Sequence, residues 1–167
     1  MVESEAIDLA LPNLDGSTVT EVTRIDDFYI IHFVNDEYYK SKNISDMKVG
    51  AGPILVNENT KEVFLTGSGQ VPIICIRAYK ECGDINAVLT PTVEVFGWEE
   101  GANKVQATKY IKNITGIGLK ESKNIIDIAL NNKVARFRVS TVKEAEEAVS
   151  IITKYGFKCK QLWSNQC

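Results

Sequence analysis

Asn103-Lys-Val-Gln-Ala-Thr-Lys-Tyr-Ile-Lys-Asn-Ile-Thr-Gly-Ile-Gly-Leu-Lys-Glu-Ser-Lys123 is the stretch that decides the fold. Ala107, Tyr110, Ile111 and Ile114 recur at i, i+3, i+4, i+7, so a helix from Asn103 to Ile114 should face the core along that stripe. Thr115-Gly-Ile-Gly118 interrupts it, with Gly116 suited to the left-handed residue that closes a helix. A second helix follows from Leu119 to Leu130, with Ser122, Ile125, Ile126 and Ala129 inward. The pair predicts a helical hairpin with a short link.

Outward from the hairpin, Thr92–Trp98 reads as a strand, as does Val134–Val139 with Ala135, Phe137 and Val139 on one face and Arg136 and Arg138 on the other. Thr141-Val-Lys-Glu144 forms a capping box, in which the side chains of Thr141 and Glu144 satisfy backbone donors at a helix start. That helix runs to Tyr155 with Val142, Ala145, Val149 and Ile152 inward, and Phe157–Trp163 is a last strand with Lys158 and Lys160 outward. The order is βααβαβ.

The first half is less regular. Glu3–Leu11 predicts a short helix with Ala6, Ile7 and Ala10 on one side, stopped by Pro12. Val19–Val22 predicts a short strand. Phe28-Tyr-Ile-Ile-His-Phe-Val34 is apolar on both faces and should be a central, covered strand. Tyr38–Lys48 reads as irregular; Ile54–Val56 and Glu62–Leu65 read as a hairpin across Asn57–Thr60. Val71–Tyr79 suits either a strand, by its isoleucines, or a helix, by Pro72 near its start. Residues 82–91 read as a linker. The expected fold class is α+β in two small domains, residues 1–88 and 91–165.

Composition bounds the function. The 167 residues are 44% hydrophobic and 25% charged, enough to bury cores. No run approaches the roughly 18 apolar residues of a membrane helix, and the acidic N-terminus lacks a signal-peptide pattern, so a cytoplasmic protein away from membranes is expected. Net charge is −3. Residues 1–90 hold 14 acids against 7 bases, and residues 91–167 hold 8 against 12. The halves therefore differ in sign and should differ in partner, and the acidic half argues against nucleic acid. Cys75, Cys82, Cys159 and Cys167 make no C-x-x-C pair and His32 is the one histidine, so no metal site and no cofactor is expected. Cys75 and His32 are the only conceivable nucleophile pair, and a histidine within an apolar strand is more simply a packed residue; no catalytic residues are assigned and no enzyme is expected. Gly50-Ala-Gly52, Gly67-Ser-Gly69 and Gly116-Ile-Gly118 lack the flanking elements of a phosphate or dinucleotide loop.

Two resemblances add to this reading. The Asn103–Lys123 stretch, with its Asn-Lys start and Thr-Gly-x-Gly-Leu-Lys-Glu-x-Lys run, resembles the helical hairpin of the ribosomal stalk protein's C-terminal domain. In that family the hairpin docks translational GTPases. The resemblance implies contacts at Lys104, Lys109, Lys112, Lys120, Glu121 and Lys123, a basic face able to steer an acidic partner such as a translation factor. The stalk protein's dimerisation domain and hinge are not visible in the first half. That half resembles the immunity protein 35 family, through Tyr29–Val34, Tyr38–Lys40, the Gly-x-Gly-Pro of Gly50–Pro53 leading to Val56, and Thr60–Gly67. It departs at Lys61, where a turn glycine is usual, and at Tyr29, where a tryptophan is typical. This second resemblance implies an immunity protein that neutralises a protein toxin by stoichiometric, non-catalytic binding. Asp26, Asp27, Asp36, Glu37 and Asp46 are then the candidate contacts for a basic toxin. The leading expectation is toxin immunity; the alternative is a binding module for translational GTPases.

Overall fold

A computed structural model describes residues Met1–Cys167 and divides them into two units, Met1–Asn86 and Ala87–Cys167. The first carries a four-stranded antiparallel sheet, the second a three-stranded one with helices, so the fold is α+β.

In the first unit, α1 (Glu3–Ala10) leads to β1 (Ser17–Ile25) and β2 (Phe28–Asn35), then α2 (Asp36–Ser41), β3 (Ala51–Asn57), β4 (Val63–Gly67) and α3 (Pro72–Cys82). The strands pair in chain order, β1-β2-β3-β4. β2 is covered on both faces, as its double apolar character requires. Tyr29 and Ile31 pack with Ala6, Ala10, Ile54 and Val56, while Phe28 and Ile30 pack with Leu55, Cys75 and Ile76 of the other layer. Phe28, Phe64 and Tyr79 close that second layer with ring centroids 5.1 to 6.3 Å apart.

Several expectations change here. β1 is nine residues long instead of four, because a bulge at Thr20 lets it follow all of β2. Tyr38–Lys48 is partly regular: α2 covers Tyr38–Ser41 and a 3-10 turn covers Ile44–Asp46, capped by the Asn43 side chain accepting from the Ser45 amide. Val71–Tyr79 resolves as helix α3, with Pro72 in its first turn, where no amide is needed. Residues 82–91 are not a spacer, since α3 runs to Cys82 and Ile85 and Ala87 are buried.

In the second unit, β5 (Leu89–Trp98) is the central strand between β6 (Ala135–Arg138) and β7 (Phe157–Trp163), both antiparallel to it. β5 begins three residues earlier than its apolar pattern suggests. The Thr90 hydroxyl donates to the Leu162 carbonyl at 2.8 Å, and the Pro91 carbonyl accepts from the Val139 amide at 2.9 Å. Helices α4 (Lys104–Thr115), α5 (Leu119–Leu130) and α6 (Val142–Lys154) supply the rest of one core with Val93, Val95, Phe137 and Phe157. The capping box is formed: the Thr141 hydroxyl accepts from the Glu144 amide at 3.1 Å, and the Glu144 carboxylate accepts from the Thr141 amide at 3.0 Å. One stripe residue is wrong. Val142, at the first helical position, is exposed, and Ala148 takes the inward place.

Candidate functional site

The α4–α5 hairpin presents the basic face. Asn103 caps α4 by accepting from the Gln106 amide at 3.1 Å, which sets the phase of every lysine after it. Gly116 closes α4 at φ +73°, and its amide donates to the Lys112 carbonyl at 2.9 Å. Ser122, fully buried, turns its hydroxyl back to the Gly118 carbonyl at 3.0 Å. These local bonds fix the link that aims the two helices.

The five lysines do not act alike. Lys104 forms an ion pair with Asp127, and Lys123 approaches the same carboxylate at 3.9 Å from one turn away. Asp127 thus offsets two of the cations, and its place in the sequence gave no sign of it. Lys109, Lys112 and Lys120 are exposed and carry no ion pair within the protein. Glu121, also exposed, lies in the first turn of α5, where the helix end favours an acid. Two apolar side chains of the hairpin are exposed as well. Val105 and Leu119 are 60% and 57% exposed. Val105, Lys109 and Lys112 follow i, i+4, i+7, so an exposed valine sits in line with two free cations. Its signal was in the sequence: Val105 falls outside the inward stripe of α4.

The acidic candidates of the first unit separate into two places. Asp26 and Asp27 form the β1–β2 turn, and Lys80 bridges both at 2.8 Å. The hydrogen bond from Lys80 holds the Asp27 carboxyl below its usual value. Asp36, Glu37 and Asp46 lie beyond the far end of β2, roughly 25 Å along an eight-residue strand. Asp36 accepts from the Thr18 hydroxyl at 2.5 Å. The five do not form one patch.

His32 is half-buried on β2 and pairs across with Glu21. No hydrogen bond joins it to Cys75, and burial pushes the Cys75 thiol up, opposite to what an activated nucleophile needs. Gly52 has a packing reason: a Cβ there would collide with the Gly67 carbonyl and the Thr66 hydroxyl of β4. No helix is long and apolar enough to cross a membrane.

Comparison with known proteins places the hairpin. Residues 93–160 match the family model for the ribosomal protein L7/L12 C-terminal domain. The large ribosomal subunit protein bL12 of Delftia acidovorans is 37% identical over 82 residues, 48% of this chain and 56% of that protein. Its counterpart from Methylibium petroleiphilum is 38% identical over 63 residues, 37% of this chain and 47% of that protein. The chain spans about half the length of these curated relatives. No solved structure gives a match.

Proposed function

We propose that the second unit is a docking module for translational GTPases, working in the cytoplasm by association and not by catalysis. Its likeness to the L7/L12 C-terminal domain supports this reading, and one observation carries it. Lys109, Lys112 and Lys120 are uncompensated, and each helix of the hairpin adds an exposed apolar residue: Val105 in line with Lys109 and Lys112 on α4, and Leu119 just before Lys120 on α5. Such a hairpin offers charge for steering and apolar side chains to bury. The test is titration of the full chain with elongation factors Tu and G. Reversing Lys109, Lys112, Lys120 and Lys123 to Glu should weaken binding by roughly tenfold or more, as loss of steering and paired charge predicts. Unchanged affinity retires the proposal.

A second reading concerns the first unit: stoichiometric inhibition of a protein toxin. Its support, besides the immunity-like sequence, is the loop after α2. Ile44 and Val49 are 81% and 87% exposed in a segment that also carries Glu37, Asp46 and the exposed Lys40, Lys42 and Lys48, a mixed apolar and charged surface suited to a protein partner. This reading predicts a toxin gene immediately upstream; co-expression with that toxin should protect cells, and Ile44→Ser with Val49→Ser should remove protection. Growth arrest despite the intact chain sinks this reading.

A further inference from the structure

We infer that the outer edge of β6 and the facing side of α5 form a groove that takes an extended peptide by strand addition. The peptide would alternate acidic and apolar residues. The backbone supplies the first observation. β6 pairs with β5 on one side only. Val139 donates to the Pro91 carbonyl at 2.9 Å, and the register Thr92↔Arg138, Val93↔Phe137, Glu94↔Arg136 continues from it. In an antiparallel ladder alternate residues bond inward, so Ala135, Phe137 and Val139 are committed to β5. The amides and carbonyls of Arg136 and Arg138 point to the free edge, two residues apart as a neighbouring strand requires.

A groove lies along that edge. A cleft of ≈ 460 Å³ runs between it and α5. The helix lines it through Glu121, Asn124, Ile125 and Ile128, which are i, i+3, i+4 and i+7 and so form one stripe. An added strand would place alternate side chains on the two faces of the sheet. Those turned toward α5 would meet Ile125, Ile128 and Phe137, and Glu121 disfavours an acid there. Those turned the other way would lie beside Arg136 and Arg138, both exposed. On that face Arg136 and Lys160 share the buried Glu94 at 2.9 and 3.6 Å, so three cations stand against one carboxylate and Arg138 is the one without an ion pair. Arginines on a short edge strand repel indiscriminate apolar pairing. They leave an acidic strand as the one that fits.

The probe is a seven-residue peptide, Gly-Glu-Val-Glu-Val-Glu-Gly, titrated into the isotope-labelled full chain. The amide signals of Arg136 and Arg138 should shift and exchange more slowly with solvent. N-methylation of the edge-facing peptide amides should weaken binding roughly tenfold per bond lost. Arg138→Glu should weaken it too, whereas Lys109→Glu with Lys112→Glu should not, which separates this groove from the GTPase face. Equal binding by a peptide with the same residues in two blocks overturns the proposal. So does the absence of saturable binding, or displacement of the peptide from the arginines by single-stranded nucleic acid at lower concentration.

Discussion

Lys61 holds φ +65° in the β3–β4 turn, a left-handed conformation that costs a side-chain-bearing residue about 1–2 kcal/mol. A glycine there would adopt the same conformation without that cost. Lys61→Gly should therefore raise stability by about 0.5–1 kcal/mol after its extra unfolded-state freedom is subtracted, read by chemical denaturation. An unchanged or lower midpoint would show that the turn relaxes around lysine. Lys80 gives a pH-dependent case. Its hydrogen bond lowers the Asp27 pKa, and its own is raised by Asp26 first and Asp27 next. A lowered carboxyl contributes stability above its unfolded value near 3.8 and loses it as pH falls through the folded value. A raised ammonium contributes below 10.5 and loses it as pH climbs through its folded value. Lys80→Met should thus lie below the wild type in stability across neutral pH, and the two curves should converge at both extremes. A constant gap through the acid limb would refute the pairing.

Among the elements, two glycines in the second unit separate strain from collision. Gly116 ends α4 at φ +73°, and a Cβ added there would meet nothing within 4 Å, so Gly116→Ala should cost only the left-handed penalty, about 1 kcal/mol. Gly156 ends α6 at φ +84°, and a Cβ there would meet the Ala102 Cα at 2.9 Å and its Cβ at 3.1 Å. Gly156→Ala should cost more, about 2–4 kcal/mol, because backbone must move. Equal losses in thermal melts of the two variants would mean that the Ala102 loop yields freely. The capping box offers a third measure: Thr141→Ala removes the acceptor for the Glu144 amide and should cost about 1 kcal/mol. At this scale the sequence was readable wherever caps and stripes were strong, as in α4, α5 and α6. It misled at Val142, since an N-terminal helical position has no preceding turn to align it. It was silent at Val71–Tyr79, where strand-like isoleucines hid a helix.

At the scale of the whole molecule, each unit has its own buried clusters, Val93 to Phe157 in one and the two layers around β2 in the other. Residues 87–167 expressed alone should unfold in a single cooperative transition and bind elongation factors Tu and G as tightly as the full chain does, if the proposed docking holds. Loss of either would show that the second unit depends on the first. By itself the sequence determined the α+β class, the βααβαβ order and the basic hairpin, because a 3.6-residue stripe, a cap and a left-handed glycine are local signals. Only the tertiary structure decided which charges remain available. Asp127 takes up Lys104 and Lys123, Lys80 takes up Asp26 and Asp27, and the edge amides of Arg136 and Arg138 are left open. Those outcomes depend on which strands and helices become neighbours, and residues 54 positions apart, like Asp26 and Lys80, carry no periodic mark of their meeting.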